Sequence, residues 1–215
     1  MSKSGYLIIG GGGHASALTE ILVKQNKPLL GVVTPCITSG HTIFNTMQHF
    51  LHDDDVLKFP VNRVLLVNGI GAMPRQTLRQ KIYTRFTDLG YTFATVIADS
   101  ALISDFATLA QGVQVMNNAV INIGSHIGEN TIINTSASVD HDCVIGAHCH
   151  LAPGTTLSGQ VNIENNVHIS TGANITNNVT IGAESIIGVG ANIIKSVCAK
   201  SIAYGVRSTI KGLDK

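Results

Sequence analysis

From Ile103 to Ile193 an aliphatic residue falls on every sixth position: Ile103, Leu109, Val115, Ile121, Ile127, Ile133, Val139, Ile145, Leu151, Leu157, Ile163, Ile169, Ile175, Ile181, Ile187 and Ile193. Two positions before each of these the side chain is small or β-branched, as at Ala101, Val113, Cys143, Cys149, Thr155 and Ala191. A helix repeats every ~3.6 residues and a strand every ~2, so this period belongs to neither. One large and one small inward residue per hexad describe a short flat side followed by a turn, and three such sides close a triangular coil. Residues three hexads apart then stand one above the other, separated by the strand spacing of ~4.8 Å. Asn and Gly after Ile163, Ile175 and Ile145 supply turn conformations that other residues tolerate poorly. The pattern predicts a parallel β solenoid of a little over five coils with no insertion in its register.

Before the solenoid the pattern changes to alternating β and α segments. Tyr6 to Gly10 reads as a strand, Gly10 to Ala15 as a tight loop, Ala17 to Asn26 as a short helix and Leu29 to Val33 as a second strand. Arg63 to Asn68 reads as a third strand, Pro74 to Leu89 as a helix ended by Gly90, and Tyr91 to Ile97 as a fourth strand. Such alternation predicts an α/β N-terminal domain with a small parallel, Rossmann-like sheet. The boundary falls near Asp99, giving domains 1–98 and 99–215.

Composition supports stacked β structure: 13% of residues are charged, 44% are hydrophobic and 22 are glycines. A net charge of +1 gives no strong electrostatic hold on nucleic acid or membrane. No apolar run approaches the ~20 residues that span a bilayer, and the expected location is the cytoplasm. The four cysteines are then expected as free thiols.

Two stretches carry candidate chemistry. Gly10, Gly12 and Ala15 fit the glycine-rich turn between a strand and a helix, a place that binds anions through free backbone N–H groups. Thr34 and Pro35 follow the next strand where NAD-binding chains place an acid for the ribose, so the expected ligand is a phosphate-bearing one other than NAD. The second stretch runs from Val139 to Gly154 and holds His141, His148, His150, Cys143, Cys149, Asp140 and Asp142. Cys143 and Cys149 take the small inward position and read as core filling rather than nucleophiles. His141 lies two residues past inward Val139, hence on the outer surface, and Gly159 stands one coil directly above it. A glycine over a histidine leaves room for a ligand and exposes a backbone N–H, which suits a thioester carbonyl becoming an oxyanion. His150 lies one and a half sides further round, so if both histidines serve one site, that site lies between subunits of a trimer. His148 reads as facing solvent.

Gly10–Ala15, Asn134–Gly146 and His150–Gly159 together resemble, over nearly the whole chain, the bacterial sugar O-acyltransferase family with hexapeptide repeats, which includes UDP-4-amino-sugar N-acetyltransferases and sialic acid O-acetyltransferases. The resemblance implies a left-handed β-helix, a homotrimer, a sugar nucleotide in the N-terminal domain and acetyl-CoA along the solenoid, with no metal. His141 is the general base that it implies, and Asp142 would hold the imidazole tautomer. Gly12, Gly13, His14, Gly69 and Asn134 would face the sugar nucleotide, with UDP as the expected carrier. His150, Gly159, Thr171, Gly172 and Lys195 would face the coenzyme. Lys200, Arg207, Lys211 and Lys215 add positive charge near the C-terminus suited to its phosphates. The expected reaction is acetyl transfer to the 4-amino group of a nucleotide-linked sugar for bacterial surface glycan synthesis. Sugar O-acetylation is the nearest competing activity. A zinc hydratase like the gamma-class carbonic anhydrases is the metal-dependent alternative, using His141 and His150 across a trimer interface.

Overall fold

The computed structural model describes residues 5–206, so Arg207, Lys211 and Lys215 lie outside the described residues. Strands β1 (Gly5–Ile9), β2 (Leu29–Val33), β3 (His49–Phe50) and β4 (Val64–Asn68) form a parallel sheet in the order β3-β2-β1-β4. Helix α1 (Gly13–Lys24) packs on one face through Ala15, Leu18, Ile21 and Leu22, and helix α2 (Leu78–Asp88) on the other through Ile82, Tyr83 and Phe86. Helix α1 starts earlier than the hydrophobic pattern suggests, because Gly12 is its extended N-cap and the glycine loop feeds straight into the first turn.

The fourth strand of this sheet is not Tyr91–Ile97. Phe93 makes only an isolated bridge to Leu66, and the chain then leaves the sheet. Val96 and Ile97 pair with Gln114 and Val115 and form the first rung of the solenoid. Ile97 is one hexad before Ile103, so the repeat begins a step earlier than its first expected residue. The missing edge is β3, two residues long and too short to show a period.

The solenoid has three parallel faces. The first stacks Val96–Ile97, Gln114–Val115, Ile132–Ile133, His150–Leu151, His168–Ile169, Ile186–Ile187 and Ile202–Ala203. The second runs from Leu102–Ile103 to Asn192–Ile193 and the third from Thr108–Leu109 to Thr180–Ile181. The hexad residues from Val115 to Ile187 and their small partners fill one continuous buried core. From Gly112 to Gly190 every corner turns through a residue of positive φ, one every sixth position, among them Asn118, Gly124, Asn130, Ser136, Asp142, His148 and Gly154. Asn and Gly accept that conformation most readily. Gly146 has another reason: a Cβ there would lie 2.5 Å from Asn165 Oδ1 in the next coil. The register ends after Ile193, since Ile186 pairs with Ile202 where the hexad would give Tyr204.

The N-terminal unit sits on the first face. Val96, Gln114 and Ile132 are buried beneath it, and Ala98 and Met116 join the core of α1. No helix of the described residues is long and apolar enough to cross a membrane.

Candidate active site

The corner between the second and third faces carries Asp140, His141 and Asp142. Below it, the buried Ser125 hydroxyl donates to the Asp140 carbonyl (2.8 Å) and accepts the Cys143 N–H (3.2 Å), tying the turn at both ends. Asp142 takes the positive φ of the turn at 59°, which brings its carboxylate back under the preceding residue. Gly124, one coil below, leaves room for that carboxylate, because a Cβ there would collide with Asp142 Oδ1. Asp140 Oδ1 accepts the His141 backbone N–H at 2.8 Å and an Asn122 amide N–H at 3.0 Å, and these bonds hold its pKa below the ordinary carboxylate value.

The imidazole stands upright in this cradle. His141 Nδ1–H donates to Asp142 Oδ2 at 2.9 Å, which leaves Nε2 as the bare lone pair. The bond to Asp142, reinforced by the charges of Asp140 and Asp142, raises the His141 pKa above its usual 6.5. Gly159 does stand over the ring: a Cβ there would lie 2.5 Å from Nε2. Strand pairing continues the same column upward, so Asn177 lies two coils above His141, and the 18-residue register stops at Ile193, before Lys195. Lys195 is exposed, as is Lys200, whose Nζ lies 3.8 Å from Glu184.

His150 is on the first face, opposite that corner, so one chain does not bring the two histidines together. Asn134 reaches His150 rather than His141, with Nδ2 3.0 Å from His150 Nε2, while Asn134 Oδ1 accepts the Thr135 N–H. Since the amide oxygen is committed there, the amide N–H donates to Nε2 and the His150 proton sits on Nδ1. That Nδ1 is the one buried side-chain polar atom without a hydrogen-bond partner among the described residues. Burial, followed by the nearby His168, His14 and Arg79, lowers the His150 pKa to about 3. His168 packs edge-on one coil above, with ring centroids 4.9 Å apart. Beside these rings a cavity of about 490 Å³ opens between the loop from Ala72 to Thr77 and the first face, reaching His148, His168 and Ile186.

On the N-terminal side of the same junction, Gly12 and Gly13 open the first turn of α1, where a Cβ would find only open space or distant contacts. Gly69 instead packs against Ala15, and a Cβ there would lie 2.7 Å from the alanine methyl, so this glycine lets the loop after β4 approach the helix. His14 projects from the first turn of α1 toward the solenoid, Nε2 lying 2.8 Å from Gln114 Oε1. Thr171 and Gly172 occupy the corner between the first and second faces, away from both histidines within one chain.

The expectation that His148 faces solvent is overturned. It lies beside Asn130 (3.0 Å) and edge-on to Tyr83 from α2, which covers it. Cys143 and Cys149 are buried core residues, and burial pushes both thiols up, Cys149 to about 12. Sequence reasoning missed Asn68, Arg79, Gln114 and His168. Gln114 and His168 occupy outward hexad positions where polar residues are unremarkable, and only docking of the N-terminal unit gives them neighbours. Among the described residues no three His, Cys, Asp or Glu side chains gather to hold a metal.

Residues 124–159 match the family model described as bacterial transferase hexapeptide (six repeats). The H141N variant of perosamine N-acetyltransferase from Caulobacter crescentus, solved with CoA and GDP-perosamine, is similar over 97% of each chain at 32% identity and a TM-score of 0.80. The acetyltransferase domain of PglB from Neisseria gonorrhoeae, solved with acetyl coenzyme A, is similar over 95% of this chain and 97% of its own at 25% identity and a TM-score of 0.84. WeeI from Acinetobacter baumannii shares the fold over 93% of this chain and 96% of its own, at 22% identity and a TM-score of 0.75.

Proposed function

From the premise that the chain belongs to the hexapeptide-repeat bacterial sugar acyltransferase family, with its left-handed β-helix, we propose that it moves the acetyl group of acetyl-CoA to the 4-amino group of a nucleotide-linked deoxy sugar. The observation that carries this reading is the His141 cradle. Nδ1 is committed to Asp142, Nε2 is bare, and Gly159 keeps the space above it open.

The sugar amine attacks the thioester carbonyl while His141 Nε2 takes the proton that the amine must lose. Asp142 holds the Nε2-bare tautomer and stabilises the imidazolium that forms. The Gly159 N–H meets the oxyanion as the carbonyl becomes tetrahedral, and the proton on His141 leaves with the CoA thiolate. No acyl-enzyme is required, because the amine is itself a competent nucleophile.

In the trimer that we propose, the His141 corner of one subunit lies against the first face of its neighbour, so that His150 and the cavity beside it serve the same acetyl group. The glycine turn at Gly12 and Gly13 takes the diphosphate at the N-terminus of α1. Exposed Lys195 meets coenzyme phosphate. The perosamine enzyme was solved with a GDP-linked sugar, which puts GDP beside UDP as a carrier to test.

Initial rates of CoA release should be measured with GDP-perosamine and with UDP-linked 4-amino sugars, and the product checked by mass for one added acetyl group. A turnover on either sugar supports the reading. No turnover on any 4-amino sugar nucleotide, or labelled acetyl retained on the protein without sugar, overturns it. Lys195→Glu should raise the acetyl-CoA KM and leave the sugar KM unchanged.

A further inference from the structure

Arg79 is buried at the junction and, among the described residues, pairs with no carboxylate. Its Nη1 donates to the carbonyls of Asn68 and Ile70, both at 2.8 Å. Its Nη2 donates to Gln114 Oε1 at 3.0 Å, and both Nε and Nη2 reach the Asn130 carbonyl. Every acceptor is neutral, so a full positive charge sits in the interior, where burial lowers the guanidinium pKa to about 9.

This arrangement leaves Gln114 no choice of orientation. Arg79 can only donate and the Asn68 carbonyl can only accept, and Gln114 Nε2 lies 2.8 Å from that carbonyl. The amide therefore turns its oxygen to Arg79. The same oxygen faces His14 Nε2 at 2.8 Å, so Nε2 carries the His14 proton and Nδ1 is the lone pair. Nδ1 meets no partner among the described residues, and it is not a buried unpaired atom as His150 Nδ1 is, so it keeps accessible surface in the first turn of α1. Burial and the Arg79 charge lower the His14 pKa to about 4, so the ring stays neutral in ordinary buffers.

We propose that Arg79 and Gln114 are positioning residues that lock His14 in its Nε2–H tautomer and present Nδ1 to the bound sugar nucleotide as an acceptor for one of its hydroxyl or amine hydrogens. The proposal deepens the function proposed above and rests on it for the ligand. The tautomer itself belongs to the protein alone. His14 Nδ1 thus gives the sugar nucleotide one fixed acceptor.

The test uses protein labelled with ¹⁵N-histidine and the probe GDP-perosamine. In the wild type, His14 should show the Nε2–H tautomer alone. Gln114→Met, close in size and unable to accept from either partner, should give a mixture of tautomers and weaken GDP-perosamine binding about tenfold, with the acetyl-CoA KM unchanged. Should that variant not fold, Gln114→Glu carries the test. Its carboxylate keeps the proton on Nε2 but favours a second one on Nδ1. The titratable and charged groups facing His14 are Arg79 from α2 and His150 from the solenoid. Binding to Gln114→Glu should therefore be weak at low pH and recover as pH rises, which a loss of packing would not produce. A single unaltered tautomer in Gln114→Met, or pH-independent binding in Gln114→Glu, overturns the proposal. A mixed tautomer with unchanged GDP-perosamine affinity overturns its ligand half. Wild-type protein that turns over no nucleotide sugar sinks the proposed function instead, and the tautomer still decides the role of Arg79 and Gln114.

Discussion

Gly159→Ala is the sharpest probe of the His141 site, because it alters the space above the base without touching the base. Gly159 is not among the glycines of positive φ, so alanine fits the backbone. Its methyl carbon would lie 2.5 Å from His141 Nε2 and 2.6 Å from Cε1, where ordinary contact begins near 3.4 Å. One of the two must move by roughly 1 Å. The imidazole moves, since it is half exposed and held by a single side-chain bond while the glycine backbone is locked into the coil. Swinging away stretches the 2.9 Å bond to Asp142 and aims the lone pair off the amine. A misplacement of ~1 Å in a reacting group costs about 10²-fold, so kcat should fall by about that factor. The melting transition should hardly shift, since Gly→Ala also restricts the unfolded chain. Initial rates by CoA release, paired with thermal unfolding, measure both. The double variant His141→Ala/Gly159→Ala should be no slower than His141→Ala alone, because the methyl acts through the ring. A kcat for Gly159→Ala close to wild type, or a double variant slower by a further 10²-fold, would refute the arrangement.

Other outcomes follow from the same geometry. His141→Ala should lower kcat by about 10²–10⁴, leave acetyl-CoA affinity and assembly intact, and recover in part at high pH as hydroxide takes over the proton; full activity in this variant would remove the general base. The base works only when neutral, so kcat/KM of the wild type should rise with pH through the His141 pKa, which the Asp142 bond places above 6.5. In Asp142→Asn that limb should move to lower pH and its plateau should drop, and an unmoved limb would show that the titrating group is another residue. Cys143→Ala with Cys149→Ala should keep kcat near wild type and lower stability by about 1 kcal/mol per site, since both thiols are core contacts; loss of activity in the folded variant would point to a covalent intermediate.

The parts of this molecule that could be read from sequence are those in which a residue's neighbours are a fixed number of positions away. In the solenoid the hexad places Gly159 over His141 and Cys143 over Ser125 before any coordinates are known, and the structure has both pairs. The same arithmetic places His168 over His150. It fails at His148, because the hexad says nothing of Tyr83 from α2, which packs edge-on against that corner. It fails again elsewhere in the domain junction. Gln114 has the same outward hexad position as exposed Thr108 and His126, and nothing in its own hexad separates it from them. What buries it includes α2, whose Arg79 stands in the largely polar run Arg75 to Lys81 and would pass for a solvated helix residue. The periodic half of the chain therefore announces the base and what lies above it. The groups that orient His14 and His150 become visible only when the aperiodic half is laid against the first face. Catalysis and substrate orientation are in this sense encoded separately, so a change in α2 that leaves every hexad intact should alter which sugar nucleotide is held while the His141 cradle keeps its form.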